Sequence, residues 1–263
     1  MTRRLRRIGG CGIGVVLVVI VIISLVGWVL SFLGKPPAFD ELAPVPQSMP
    51  PEPGAQVPAI DVNSGGRTAD KLTFWAEDLS AQTEIEPQAL RAYGNAELVA
   101  RERFPNCHIR WNTIAGLAYV ETRHGTYNGN WFKPSKLDEN GYPDPPIVGI
   151  ALDGTNNTAK IPDTDNGTID GDSEHDRAVG PLQFLPQSWE QVGADGNGDG
   201  VADPNQIDDA ALGAAALLCF GDRDLSIEEG WKAGVLNYNQ SLDYLRKVQS
   251  AANSYSIPQR ATS

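Results

Sequence analysis

Residues 119–127, Tyr-Val-Glu-Thr-Arg-His-Gly-Thr-Tyr, place one carboxylate, Glu121, where a helical pattern is about to end. Ile114, Leu117 and Ala118 precede it by seven, four and three residues, the spacings of a single helical face. The carboxylate therefore projects from an apolar stripe. An unpaired charge there is costly, so the group either finds a cationic partner or raises its pKa and holds a proton near neutral pH. A protonated carboxyl in a groove is what a general acid requires. A side chain in the last helical turn can also reach solvent or pair with an arginine, and the spacing alone leaves both readings open.

A second stretch has the chemistry of a cation loop. Asp195, Asn197 and Asp199 alternate and are followed by Gly200, which fits the D-x-[DN]-x-[DN]-G start of a calcium loop, where oxygens alternate and glycine makes the sharp turn. The twelfth position is Gln206 instead of glutamate, so the bidentate charge is missing. The competing reading is an Asp-Gly turn that binds nothing. His108, His124 and His175 match no zinc spacing and read as solvated or locally bonded histidines.

The elements that must position these groups are mostly helical. Leu72, Trp75, Ala76 and Leu79 follow i, i+3, i+4, i+7. Pro87 suits the first position of a second helix, and residues 112–125 form a third, ended by Gly125. Residues 126–176 are rich in Gly, Pro, Asp and Asn, lack a helical period, and read as a long irregular region with room for a short hairpin. Helices resume at 186–193 and across the apolar run 208–220. A further helix starts near Ser226, with Glu229 three residues on as in a capping box, and a last one is capped by Ser241. The expectation is a mainly α domain over residues 69–256 with a short tail, 257–263.

Ahead of that domain, residues 12–34 are apolar and uncharged and follow Arg3, Arg4, Arg6 and Arg7. Roughly 20 such residues span a bilayer, and the arginines favour the cytoplasmic side. The reading is a cytoplasmic tail, 1–11, and an uncleaved single-pass membrane anchor, 12–34, with a cleaved signal peptide as its rival. The proline-rich stretch 35–68 then reads as an extended linker that forms no core. Without the four arginines the chain has 17 basic residues against 33 acidic ones, which argues against nucleic acid as a partner. Cys107 and Cys219 would lie outside the membrane, where a disulfide is permitted; two buried free thiols are the alternative.

Three further motifs follow Glu121-Thr-Arg-His-Gly in order: 178–189 (AVGPLQFLPQSW), 194–209 (ADGNGDGVADPNQIDD) and 235–244 (VLNYNQSLDY). Together they resemble the lytic murein transglycosylases of bacterial cell walls, of the lytic transglycosylase B type, over roughly residues 70–250. The resemblance implies a lysozyme-like helical fold and cleavage of the β-1,4 bond between N-acetylmuramic acid and N-acetylglucosamine in peptidoglycan glycan strands. It implies Glu121 as the catalytic acid, and Gln183, Tyr238, Asn239 and Tyr244 as substrate-binding residues. It also implies a longer cation loop that Asp209 closes, with the Val201 carbonyl as backbone ligand beside Asp195, Asn197 and Asp199. Asp203 or Asp208 would act through water. The calcium would be structural, and catalysis would need no cofactor. The region 126–176 departs from the family, which has more helix there.

Most glycosidases use two carboxyl groups, and nothing in the sequence marks a partner for Glu121. The C6 hydroxyl of muramic acid can replace it. Glu121 would protonate the glycosidic oxygen, then accept the C6 proton as that hydroxyl attacks C1 to give a 1,6-anhydro product. A muramidase-type hydrolase of the same bond is one rival. A calcium-stiffened, non-catalytic wall-binding protein is another.

Overall fold

The computed structural model describes residues 42–155 and 158–262. The chain divides into two units, Met1–Ala43 and Pro44–Ser263, and the following concerns the second. Among the described residues seven α-helices occur. A 3-10 turn, Thr68–Leu72, leads into α1 (Thr73–Thr83), followed by α2 (Pro87–Arg103), α3 (Trp111–Thr122), α4 (Pro186–Val192), α5 (Ile207–Cys219), α6 (Glu228–Tyr238) and α7 (Leu242–Ser256). Two short strands, β1 (Lys136–Leu137) and β2 (Pro143–Asp144), pair antiparallel inside the irregular region, Lys136 opposite Asp144 and Leu137 opposite Pro143.

The expected fold class is corrected in one respect. It is mainly helical, but none of the described helices is long and apolar enough to cross a membrane. The most apolar, α5, has 13 residues, about 20 Å against a hydrocarbon core of about 30 Å. The longest, α2, has 17 residues and carries Arg91, Glu97, Arg101 and Arg103. The segment 12–34, read as an anchor, lies outside the described residues.

Local chemistry fixes the helix ends. Pro87 occupies the first turn of α2. The Ser241 hydroxyl accepts the N–H of Tyr244 and opens α7. The capping box expected at Ser226 is absent: α6 starts after Ile227 without a side-chain cap, and the N–H and hydroxyl of Ser226 both donate to Asp224 Oδ1, at 2.9 and 2.6 Å. α3 packs along α7 and α2 along α5. At the first contact a Cβ on Gly116 would stand 2.9 Å from the Val248 carbonyl and 3.0 Å from the Ala252 Cβ, so the two helix backbones meet where only glycine fits. Cys107, just after α2, and Cys219, the last residue of α5, form a disulfide with their Cα atoms 5.4 Å apart. It closes a loop of 112 residues, which removes on the order of 4–5 kcal/mol of chain entropy from the unfolded state.

The linker expectation for 35–68 fails over residues 47–57. Residues 47–57 lie on α3 and α7 as a docked strap. Pro51 and Val57 are buried, and the Trp111 indole donates to the Ala55 carbonyl at 2.9 Å. Gln249 donates to the Gln47 and Ser48 carbonyls, and Asn253 exchanges bonds with Ser48. The strap stays extended, as its prolines dictate, and amide side chains on the helices satisfy its backbone. The tail is docked too: Tyr119 donates to the Ala261 carbonyl and Arg260 pairs with Glu84.

Asn112 holds the strap most directly. It is fully buried, donates to the carbonyls of Glu52 and Ala252 at 2.9 and 3.1 Å, and accepts from Gly54 N–H at 3.3 Å. Asn112→Ala strands these groups, and a destabilisation of about 2–4 kcal/mol is expected in urea unfolding. A variant as stable as the parent would show that the strap contributes nothing.

Candidate active site

Glu121 lies in the last turn of α3, on the face that Ile114, Leu117 and Ala118 bury completely. The helix stops at Thr122, three residues before the expected glycine. Arg123, His124 and Gly125 all take positive φ, at 52°, 62° and 83°, and the N–H groups of Arg123 and His124 turn back to the carbonyls of Tyr119 and Ala118. Two successive non-glycine residues in the left-handed region are uncommon and mark a strained, fully determined turn.

His124 holds that turn from inside. Nδ1 lies 3.2 Å from the Tyr93 hydroxyl and Nε2 2.9 Å from the Tyr255 hydroxyl. Burial, then the charge of Arg123, pushes its pKa down to about 3, so the ring is neutral and one nitrogen accepts while the other donates. The Arg123 guanidinium stacks over the Tyr119 ring, 3.8 Å from its centroid. His124 was read from sequence as solvated or locally bonded. It is neither: the ring is buried, and the tyrosines that bond it come from α2 and α7, 31 and 131 residues away.

Three elements converge on Glu121. Tyr244, on α7, donates its hydroxyl to Glu121 Oε1 at 2.6 Å. Tyr238, at the end of α6, stands near enough for the carboxylate's charge to oppose its ionisation; burial is the larger cause, and the pKa lies well above the usual tyrosine range. The Tyr238 hydroxyl itself donates to the Leu182 carbonyl at 2.6 Å. The third element is the tight turn 179–184, closed by paired backbone bonds between Val179 and Phe184 and tied to α3 by the Thr122 hydroxyl, which donates to the Pro181 carbonyl at 2.5 Å. Gly180 has φ 74°, and a Cβ there would lie 2.0 Å from the Pro204 carbonyl. Burial pushes the Glu121 pKa up to about 7, against the opposing pull of the Tyr244 hydrogen bond.

The other expected site residues are placed less directly. Gln183 has φ 50° and donates from its amide to the Gly180 carbonyl at 3.0 Å, so half of its side chain closes its own turn. Its Oε1 faces Gly149, in the irregular region. Asn239 is exposed, and its Oδ1 accepts the Ser241 N–H at 3.0 Å; it shapes the bend between α6 and α7.

In the acidic glycine loop the anchor is Asp209, in the first turn of α5. One oxygen accepts from the N–H groups of Gly196 and Asn197 and the other from Asp203. Burial raises its pKa to about 6, with the charge of Asp195 adding to the rise. Asp195 accepts from Gly198 and Gly200, and Asp199 from Val201 and the Asn197 amide; Val201 is exposed. Oxygen donors of the right type are present, and Asp209 carries a penalty that a nearby cation would relieve. Asp208 faces elsewhere, in an ion pair with Arg67 at 2.5 Å. Gln206 is no ligand: fully buried, it caps α5 by accepting from the N–H groups of Asp208 and Asp209.

A group missed in the sequence lies in the irregular region. One carboxylate oxygen from each of Asp163, Asp165 and Asp176 falls within 4.8 Å of the others. Asp176 is fully buried, and Asp165 Oδ1 has no hydrogen-bond partner. The acids were visible in the sequence, but the return of the chain that brings Asp176 beside Asp163 was not.

Compared with protein-family models, curated proteins and solved structures, the chain matches none.

The shift of Glu121 has a stability consequence. With the folded pKa near 7 and an unfolded value of about 4.3, the native state holds a proton that the unfolded chain has released across this window. Stability therefore falls as pH rises through it. Glu121→Gln is expected to unfold at the same urea concentration as the parent at pH 4, and to exceed its stability by up to about 3 kcal/mol at pH 8. Equal differences at both pH values would contradict a proton held at Glu121.

Proposed function

We propose that the protein is a peptidoglycan lytic transglycosylase that cleaves the MurNAc-β-1,4-GlcNAc bond and leaves a 1,6-anhydro-MurNAc end. The observation that carries this reading is a carboxyl group poised near neutral pH, pushed up to about 7 by burial and gripped by the Tyr244 hydroxyl. Such a group is matched to donating and then accepting a proton at physiological pH. Three of the four ordered motifs that resemble lytic transglycosylases support the reading by meeting at this group: Glu121 on α3, the turn 179–184, and Tyr238 and Tyr244 on α6 and α7.

The chemistry follows from one carboxyl. Glu121 donates its proton to the glycosidic oxygen as the C1–O bond breaks. The resulting carboxylate accepts the proton of the muramyl C6 hydroxyl while that oxygen bonds to C1. The proton count balances, and the enzyme returns to its starting state. The Glu121 carboxyl is bonded by the Tyr244 hydroxyl, and nothing in the sequence marks a second carboxylate as its partner. This favours a nucleophile supplied by the substrate, whose intramolecular position gives it a high effective concentration. The Cys107–Cys219 disulfide supports an oxidising compartment outside the cytoplasm.

Purified peptidoglycan is expected to yield muropeptides with anhydro ends by mass analysis, and Glu121→Gln is expected to abolish their release. Reducing muramic acid ends would establish the hydrolase instead, and an active Glu121→Gln would remove this residue from the role.

The same proposal assigns a structural calcium ion to the loop 195–209, held by Asp195, Asn197, Asp199, the Val201 carbonyl and Asp209. Saturating calcium at about a hundred times its dissociation constant stabilises by about 2.7 kcal/mol, so the melting temperature is expected to rise by about 5–10 °C over chelated protein. Asp195→Asn should lose that rise while keeping the bonds to Asp209. Identical melting with calcium and with chelator would count against the ion.

A further inference from the structure

The chain that leaves the Glu121 turn forms a closed loop with an unusual surface. The N–H groups of Thr126 and Tyr127 both return to the Thr122 carbonyl, at 3.0 and 2.7 Å, which seats the loop against the end of α3. The Ser135 N–H closes it on the Thr126 carbonyl at 2.9 Å. Inside, Asn128 donates to the Lys133 carbonyl, and Asn130 Oδ1 accepts from the N–H groups of Phe132 and Lys133. Short polar side chains thus define the backbone, and its aromatic residues are not needed to hold it.

Those aromatics nevertheless stand in water. Trp131 is 73% exposed and Phe132 100% exposed. Trp131 is oriented by Tyr127, whose ring lies 4.6 Å away between centroids. Leaving so much apolar surface hydrated on a well-bonded loop forgoes a large burial free energy, and rigid exposed aromatics are a low-entropy way to present contact area to a ligand. The charge is equally uneven. In a chain with 33 acidic residues, none occurs from Thr122 to Leu137, while Lys133 and Lys136 are exposed within that span.

We propose that this loop is a saccharide platform: Trp131 and Phe132 stack on pyranose rings of the glycan strand beyond the bond that is cut, and Lys133 and Lys136 meet the strand's carboxylates. The proposal rests on the transglycosylase reading for the identity of its ligand. It adds a specificity-determining surface, continuous through Thr122 with the turn that carries Glu121 and matched in charge to an anionic polymer.

Two probes separate the two contacts: peptide-stripped glycan strands, whose muramyl carboxylates are free, and neutral N-acetylglucosamine oligomers of equal length. Binding is measured by calorimetry on the Glu121→Gln protein, so that strands persist. Trp131→Ala and Phe132→Ala, at positions exposed enough to leave melting unchanged, are expected to weaken both probes about tenfold, about the scale of one strong aromatic contact. The double variant Lys133→Ala/Lys136→Ala is expected to weaken only the muramyl strands, with the difference fading at high salt. On the parent with Glu121 intact, Trp131→Ala should raise KM on long strands about tenfold and leave kcat within about twofold. Unchanged affinity in a Trp131→Ala/Phe132→Ala double variant would overturn the platform, as would a Glu121→Gln protein that binds neither probe. Weakened binding in a protein that releases no anhydro ends would keep the platform and overturn the catalytic reading instead.

Discussion

A half-buried carboxyl group at the last turn of α3 is the constraint around which the neighbouring structure is arranged. Burial opposes its ionisation and the Tyr244 hydroxyl favours it; the balance lies near neutral pH. Maintaining that balance requires α7 to bring Tyr244 to one side and the turn 179–184 to close another. It also requires α3 to stop at Thr122, whose hydroxyl meets that turn. The contact of α3 with α7 through Gly116 sets the first requirement. The Thr122 hydroxyl on the Pro181 carbonyl sets the second, and the left-handed run Arg123–Gly125 sets the third.

Much of this was legible in the sequence wherever one periodic face decides the outcome. The stripe Ile114–Leu117–Ala118 pointed to Glu121, Pro87 and Ser241 marked the starts of their helices, and the even pair Cys107 and Cys219 anticipated the disulfide. What escaped depends on contacts distant in the chain. The strap 47–57 has the composition of a linker, and Trp111, Asn112, Gln249 and Asn253 on other elements turn it into part of the fold. Gly125 was the natural helix stop by residue type, yet His124 is held left-handed by the tyrosines of α2 and α7, so tertiary bonds override the local preference. Gln206 read as a defective metal ligand and proves to be a buried cap.

The irregular region shows what the acidity of the chain does. Asp138, Asp153, Asp163, Asp170 and Asp172 each accept backbone N–H groups two to four residues onward. Asp176 reaches back to Thr164 instead, through both its N–H and its hydroxyl. Carboxylates here replace the partners that a helix or sheet would supply to the described residues of this region. Abundant aspartate in this chain is therefore mostly backbone chemistry. That explains why counting acids could not single out a catalytic partner for Glu121.

The two titratable residues of the Glu121-to-His124 stretch also have to be set in opposite senses by one cause. Burial pushes Glu121 up to about 7 and His124 down to about 3, so near neutral pH the imidazole is uncharged and the carboxyl is poised between its two forms. An imidazolium three residues from the carboxyl would favour its ionisation and remove the proton a general acid must give. Burial, with the charge of Arg123, prevents this, and the Tyr93 and Tyr255 hydroxyls meet both nitrogens of the neutral ring without introducing a charge. The Arg123 guanidinium lies over the Tyr119 ring. The His-Tyr-Tyr cluster thus does more than brace a strained turn: a neutral ring there adds no positive charge that would favour ionisation of Glu121.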